Sequence, residues 1–253
     1  MTDDVLVERR NNILVITINR PEARNAINRS ASYGLAAAVD ELDADPDLSV
    51  GVLTGTGKDF CAGMDLKAFA SGEKIVVPGR GLGFTETPPQ KPLIAAVEGY
   101  ALAGGMELVL ASDLVIASSG AQFGIPEVKR GLVAASGGLL RLPKRIPYQK
   151  ALELALTGDN FSAEDGHQWG FVNSLTAAGE AFEGALALAR RVSANGPLAI
   201  AASKEVIVKS GSWPDDEAFA RQMKITRPVF TSADAVEGST AFAEKRQPVW
   251  TGR

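Results

Sequence analysis

PLIAAVEGYALAGGMELVLASD, residues 92–113, is the segment from which the fold of this chain can first be inferred. It begins with a continuous apolar run, Leu93 to Val97, whose length and character are typical of a fully buried strand. After a break at Glu98-Gly99, the pair Gly104-Gly105 precedes a segment that is apolar almost all round, which predicts a buried helix. The stretch therefore predicts a strand, a turn and a helix inside the core.

The start of this predicted helix can hold negative charge. Its first N–H groups have no partner within the helix, and the helix dipole makes that end partly positive. Glu107 lies in the first turn of an otherwise apolar segment, where a carboxylate is costly to bury unless it has a function. This stretch alone leaves two interpretations open, a carboxylate that only complements the dipole and a catalytic carboxylate.

The composition of the chain excludes several classes of protein. A length of 253 residues with 45% hydrophobic content suits one large domain, and a net charge of −4 shows no bias toward nucleic acid or an anionic membrane. One cysteine and one histidine exclude a disulfide framework and any site that needs several imidazoles. The N-terminal residues show no signal-peptide pattern, and no apolar run approaches about 18 residues. These observations predict a cytoplasmic α/β protein without nucleic-acid or membrane partners.

Outside residues 92–113, the chain predicts strand–strand–helix units followed by a helical C-terminal part. Val5 to Glu8 and Ile13 to Ile18 alternate apolar and polar residues, which predicts a β-hairpin, and Ser30 is the expected N-cap of the next helix. Residues 71–91 are rich in Gly, Pro and charge and predict a mobile surface loop. From about Ala181 the pattern is helical to the end.

Three features of the chain follow one another in order. A buried strand at Val50 to Leu53 leads into a glycine-rich loop that contains Met64. The Gly104-Gly105 helix start comes next. Two glutamates, Glu107 and Glu127, complete the set, with two short predicted strands between them. Only the combination of the three features points to a family.

In this order the features closely resemble the crotonase family, the enoyl-CoA hydratase/isomerase superfamily. The motifs that carry the resemblance span essentially the whole chain: INRPEARNAI, FCAGMDL, KPLIAAVEGYALAGGMEL, QFGIPE and LTGDNFSAED. The ending, DAVEGSTAFAEKRQPVW, resembles the branch that contains carnitinyl-CoA dehydratase. The resemblance implies a spiral core of ββα units with the active site in residues 1–195. It also implies a C-terminal helical region, residues 196–253, that packs against neighbouring subunits in a homotrimer or a dimer of trimers.

The resemblance also implies roles for individual residues. The main-chain N–H groups of Met64 and Gly104 would form an oxyanion hole for a thioester carbonyl. Glu107 and Glu127 match the two positions that act as acid and base in hydratases. The substrate would be an acyl-CoA thioester, so that CoA arrives as part of the substrate and no separate cofactor is needed. The residues that would hold the substrate and its CoA moiety are Arg24, Ala26, Ala62, Gly63, Met64, Asp65 and Leu66.

Water addition to an enoyl thioester needs the same kinds of group. One group must activate water at Cβ, another must deliver a proton to Cα, and a third must stabilise the enolate oxygen. Paired carboxylates can move the protons, and two fixed N–H donors can stabilise the oxygen. Enoyl-CoA hydratase is therefore the predicted activity. The alternatives are a specialised hydratase or dehydratase of the carnitinyl type, a double-bond isomerase, and a non-catalytic acyl-CoA-binding protein.

Other candidate side chains receive non-catalytic interpretations. Cys61 lies next to the predicted hole with no histidine nearby in sequence, so a small core residue is the better interpretation. His167 resembles a surface helix end, and Ser136 is interpreted as a helix N-cap. Two positions depart from the family pattern. Ala135 stands where a glycine is common, and Met64 replaces a smaller residue, which is expected to reshape the acyl pocket.

Overall fold

A computed structural model of the chain describes residues 4–253. The first three residues belong to the predicted 1–195 unit and to the N-terminal stretch without a signal pattern, and they lie outside the described residues. In the described part, the chain folds into two β-sheets surrounded by helices, so the predicted α/β class is confirmed.

The strands of the described part form one larger and one smaller sheet. They are β1 (Val5–Arg10), β2 (Ile13–Ile18), β3 (Val50–Gly55), β4 (Leu93–Val97), β5 (Tyr100–Leu102), β6 (Leu114–Ser118), β7 (Gln122–Gly124), β8 (Asn160–Ser162) and β9 (Ser174–Thr176). The larger sheet has the order β1-β2-β3-β4-β6-β9, in which β1 and β2 form the predicted antiparallel hairpin and the other pairs are parallel. In the smaller sheet, β7 pairs in parallel with β5 and antiparallel with β8.

Helices connect the parallel strands, because parallel neighbours cannot be joined by a tight turn. The α-helices are α1 (Arg29–Ala44), α2 (Leu66–Ala70), α3 (Gly104–Ala111), α4 (Gly138–Arg141), α5 (Tyr148–Thr157), α6 (Ala163–Gln168), α7 (Ala181–Ser193), α8 (Pro197–Ser210), α9 (Asp215–Phe230) and α10 (Ala233–Glu244). A 3₁₀ helix spans Pro126–Arg130. Helix α1 joins β2 to β3, and α3 joins β5 of the smaller sheet to β6 of the larger sheet. The predicted helical C-terminal part is confirmed as α7 to α10.

Helix α1 begins at Arg29, and its N-cap is Asn28 rather than the predicted Ser30. The Asn28 side-chain oxygen accepts a hydrogen bond from the Ala31 N–H at 2.8 Å. Asparagine and serine are both favoured N-cap residues. The sequence pattern therefore located the start of the helix but not its capping side chain.

Both faces of the larger sheet are buried, because successive side chains of a strand point to opposite faces. Leu14 and Ile16 of β2 join the core under α1, whereas Ile13 and Val15 join a second cluster that α7 covers. Strands buried on both faces are apolar without interruption. All the residues of β4 are accordingly buried, as the run in residues 92–113 predicts.

The segment 71–91 is not the surface loop that its composition predicts. Apart from an isolated bridge between Val77 and Gly81, it has no regular strand or helix. Phe84 and Thr85 are nonetheless fully buried, and Ile75 is almost so. Glycine and proline correctly indicated irregular backbone, but the apolar side chains between them anchor the segment in the core.

Helices α8 and α9 contain no buried residue in the part of the chain described. Lys204 of α8 ties this region to the core, since its Nζ lies 2.6 Å from Asp113 Oδ2 and donates to the carbonyl oxygens of Pro89 and Lys91. The division of the chain at residue 195 stays a prediction. None of the helices between residues 4 and 253 combines the length and the apolar character needed to cross a bilayer.

Candidate active site

The glycine-rich loop after β3 holds Met64 with its own N–H unused. Ile27 bonds to both neighbours of Met64: its N–H donates to the Gly63 carbonyl at 2.8 Å, and its carbonyl accepts from the Asp65 N–H at 2.9 Å. The Asp65 carboxylate then accepts from the Lys67 and Ala68 N–H groups and so caps the start of α2. The Met64 N–H itself donates to no acceptor among the described residues.

The start of α3 lies directly against this loop. A Cβ at Gly105 would overlap the carbonyl oxygen of Cys61, and a Cβ at Gly63 would lie 2.7 Å from that of Ala103 and 3.3 Å from the Gly104 nitrogen. Only glycine permits such close approach of the two backbones. The turn also holds Ala103 at φ 51° and ψ −124°, a conformation that is costly for a residue with a side chain.

The result is a pair of neighbouring N–H donors that point to no protein acceptor. A Cβ at Gly104 would lie 3.4 Å from the Met64 nitrogen, so the two residues are in contact. Neither N–H donates to an acceptor in the described part of the chain. Such a pair can bind one oxygen that carries negative charge.

A cleft of about 400 Å³ brings the predicted residues together. Met64 and Gly104 line it on one side, and Glu107 and Glu127 also face it. Of the residues predicted to hold CoA, those in the lining are Arg24, Ala62, Met64 and Leu66. The others lie just behind: Gly63 packs against Ala103, and Arg20 donates to the Ala26 carbonyl and to the Asp65 carboxylate.

Glu107 is 3% exposed and is held by main-chain donors. Its Oε1 accepts from the Ser136 N–H at 2.6 Å and from the Gly138 N–H at 2.9 Å. The predicted role of Ser136 as an N-cap is wrong, because the N-cap of α4 is Gly137 and no side chain caps it. Ser136 contributes its backbone instead. Ala135 also lines the cleft, one residue before this pair of donors.

The two carboxyls are perturbed in the same direction. Burial, reinforced by the nearby charge of Glu127, raises the pKa of Glu107 to about 7, although the Gly138 and Ser136 N–H groups and Arg141 oppose this. Burial also raises the pKa of Glu127. Its Oε2 is buried without a hydrogen-bond partner in the described structure. A buried carboxylate oxygen left without a partner is free to bind a ligand.

The other reactive side chains stay outside this arrangement. Cys61 is fully buried, and burial raises the pKa of its thiol to about 12, so the interpretation as a core residue is confirmed. His167 is exposed near the end of α6, as predicted, and its Nδ1 lies 2.9 Å from the Val172 carbonyl oxygen.

The sequence did not reveal several walls of the cleft. Val76 and Leu82 come from the 71–91 segment, and Arg130 and Val133 follow Glu127 along the chain. The apolar residues spaced through 71–91 could have indicated that the segment is partly buried. The prediction of a surface loop relied on its Gly and Pro content instead. Arg130 ends the short 3₁₀ helix and Val133 lies in the irregular segment after it; both are exposed, and such short stretches show no periodicity.

Comparison with known proteins places this geometry among related chains. The model of a family described as "Enoyl-CoA hydratase/isomerase" matches residues 8–253. Solved structures of an enoyl-CoA hydratase from Mycobacterium marinum and one from Mycobacterium tuberculosis are 65% and 64% identical, with TM-scores of 0.98 and 0.99 and full coverage of both chains. A carnitinyl-CoA dehydratase of Salmonella typhimurium is 43% identical over the full length of both chains. The superpositions confirm the fold that the sequence resemblance implied.

Proposed function

Because this chain belongs to the enoyl-CoA hydratase/isomerase family, we propose that its cleft adds water across the α,β double bond of a 2-enoyl-CoA thioester. The observation that carries the proposal is the convergence of two unused N–H donors, the buried Glu107 and the half-buried Glu127 on one cleft. Both mycobacterial structures are described as enoyl-CoA hydratases, which agrees with it.

The donors would act on the thioester oxygen. When water adds at Cβ, negative charge develops on that oxygen as the enolate forms. The N–H groups of Met64 and Gly104 are fixed by the loop and by α3, so they need no reorganisation to receive this charge. Losing one such donor typically costs about 10²–10³ in rate.

The carboxyls would move the protons. Burial raises the pKa of both, and the charge of Glu127 adds to the rise at Glu107, whose pKa of about 7 lets it hold or release a proton near neutral pH. The carboxylate takes a proton from water while the water oxygen bonds to Cβ. The carboxylic acid delivers its own proton to Cα. The pair then holds the same number of protons as before, in exchanged positions.

An apolar groove beside the cleft favours a substrate with an uncharged acyl chain. The groove measures about 440 Å³ and shares Glu127 and Val133 with the cleft. Its other walls come mainly from α4 and α5 and are almost entirely apolar: Leu139, Leu142, Ala151, Leu152, Ala155 and Leu156 among them. A chain of several carbons that extends from Cβ would be buried there.

Carnitinyl-CoA dehydration is the second candidate. The 43% identity with a carnitinyl-CoA dehydratase extends over the whole length of both chains. A trimethylammonium group needs an anionic or aromatic partner. Glu127 and Tyr148 are the groups of the groove that offer one.

Two glutamine variants test the proposal. Glu107→Gln and Glu127→Gln keep the size of each side chain but cannot exchange a proton. We expect each to lower kcat by at least about 10² with a far smaller change in KM. The double variant should lower kcat by much less than the product of the two single fold-reductions. Glu164→Gln, a change at an exposed glutamate, is the control and should leave kcat unaltered.

The measurement is loss of the ultraviolet absorbance of the conjugated thioester. Crotonyl-CoA, longer enoyl-CoAs and carnitinyl-CoA, the last followed in the reverse direction, distinguish the candidates. Activity that depends on Glu127 alone would indicate an isomerase. Binding of the thioesters without turnover would indicate a binding protein. Hydration that survives in Glu107→Gln would contradict the two-carboxyl mechanism.

A further inference from the structure

Arg141 is a half-buried arginine without a carboxylate partner in the described part of the chain. Its Nη2 donates to the carbonyl oxygen of Thr85 at 2.6 Å. A Cβ at Gly137 would overlap its Nη1, so the guanidinium lies directly against the backbone at the start of α4. Withdrawing a guanidinium from water is costly unless its charge is used.

The position of Arg141 connects it to Glu107. Gly137 precedes Gly138, whose N–H binds Glu107 Oε1. The guanidinium therefore lies behind the backbone that holds the carboxyl. Thr85 belongs to the 71–91 segment, and its Oγ1 accepts from the N–H of Leu82, which lines the cleft. One side chain thus joins the segment 71–91 to α4.

The charges around Glu107 are few. Arg141 from α4 and Glu127 from the Pro126–Arg130 helix act on it, and Arg130 acts on Glu127. Strand β5, which also packs against α3, has Tyr100 as its titratable residue, and this side chain is exposed. Arg141 is therefore the positive charge that lowers the pKa of Glu107, whereas burial and the charge of Glu127 raise it.

We propose that Arg141 is a positioning residue for Glu107: it holds the backbone at the start of α4, whose Gly138 N–H binds this carboxyl, and it places a positive charge behind that backbone. The inference rests on the hydratase function proposed above. Arg141 does not line the cleft. Its effect reaches the reaction through Glu107 and through the main-chain donors of α4.

The test compares variants of two neighbouring arginines. Arg141→Met removes the charge and the bond to Thr85, Arg141→Gln removes the charge but keeps a donor toward Thr85, and Arg141→Lys keeps the charge. Arg145→Met is the matched control, since Arg145 is also half-buried and donates to a backbone carbonyl, that of Ser112, at 3.2 Å. Arg145 is not among the charges that act on Glu107.

The readout is the pH dependence of kcat for the hydration of crotonyl-CoA. Without the Arg141 charge, the acid limb should move up by about 0.5–1 pH unit, so that the variant is slower than wild type at pH 6 and the difference shrinks as pH rises above the limb. Arg141→Lys should restore the wild-type limb, and Arg145→Met should leave it in place. A merely structural arginine would lower the rate equally at every pH.

A second measurement separates this inference from the proposed function. Infrared titration of the Glu107 carboxyl, identified by its loss in Glu107→Gln, follows the same shift without turnover. If Arg141→Met does not fold, Arg141→Gln provides both readouts. An unmoved limb and an unmoved carboxyl titration in a folded Arg141→Gln would overturn the inference. A wild-type protein inert toward every enoyl-CoA would overturn the proposed function, while the infrared result would still decide the role of Arg141.

Discussion

At the scale of single residues, Glu107 is costly to the fold in its charged form. Its pKa rises from 4.5 to about 7, so the folded chain binds a proton more tightly than the unfolded chain. Between these two pH values the folded state holds more protons, and stability therefore falls as pH rises from about 4.5 to about 7. Above about pH 7 the full cost, roughly 3 kcal/mol, is present.

Glu107→Gln should therefore stabilise the protein at alkaline pH. The amide oxygen can still accept from Ser136 and Gly138, but no charge has to be buried. We expect a higher urea midpoint than wild type at pH 8, by up to roughly 3 kcal/mol in the free energy of unfolding. The difference should vanish near pH 4.5. A variant that is no more stable than wild type at pH 8 would show that burial of this charge costs little.

Met64 has two proposed roles, one for its side chain and one for its main-chain N–H. Its side chain packs against the core and lines the cleft, whereas its N–H is the proposed donor. Met64→Ala should keep turnover and shift the preferred acyl length, as measured by kcat/KM across enoyl-CoAs of increasing length. Loss of all turnover in a folded variant would contradict this separation.

The sequence revealed the residues that act through a recognisable local pattern. Met64, Gly104, Glu107 and Glu127 lie in motifs and meet at one cleft as predicted. Arg141 could not be found this way, because its importance depends on contacts with residues far away in the chain. The sequence likewise misassigned Ser136, whose backbone rather than its hydroxyl is used.

At the scale of secondary structure, the contact between α3 and the glycine-rich loop is the most constrained packing near the cleft. Gly105→Ala would place a methyl group on the Cys61 carbonyl. We expect it to lower the free energy of unfolding by about 1–3 kcal/mol, as overpacking does. It should also reduce turnover, because the two donors would move apart.

Gly120→Ala is the matched control for this prediction. Gly120 lies in the turn between β6 and β7, and no atom would lie within 4 Å of the added methyl group. Its stability in urea should stay within about 0.5 kcal/mol of wild type. Equal stability of the two alanine variants would show that the loop and α3 can separate without cost.

Elements with a long apolar pattern were predictable, whereas most of the three-residue strands, β7 excepted, were not. The β1–β2 hairpin followed from alternation, and β3, β4 and α3 followed from continuous apolar runs. Strands β5, β8 and β9 have three residues each, too few to show an alternation. They form because neighbouring strands offer backbone partners, which is a property of the assembled sheets. The same holds for the segment 71–91, which packs against α1 where Gly83 approaches Leu35 and Ser32.

At the scale of the whole molecule, the C-terminal helices expose apolar side chains. On α9, Phe219 is 80% exposed and Phe230 76%, and Met223 lies on the same stripe. A single chain would leave this surface in water. We therefore expect a homotrimer or a dimer of trimers, with these helices at the interface.

Light scattering at micromolar concentration measures the assembly. We expect a mass of three or six chains for wild type and a smaller mass for the double change Phe219→Asp and Phe230→Asp, with helical content preserved. Lys224→Asp places the same residue elsewhere on α9 and should leave the assembly intact. A monomeric wild-type protein would contradict this prediction.

Cys61 is a built-in reporter of unfolding. The thiol is the chain's single cysteine, and in the folded state it is neither accessible nor ionised. Alkylating reagents attack the thiolate, so iodoacetamide should modify a chain only after its core has opened. The alkylated fraction, read by mass spectrometry, then records how many molecules have opened during storage or heating. Gly105→Ala, whose methyl group would overlap the Cys61 carbonyl oxygen, should increase the rate of alkylation.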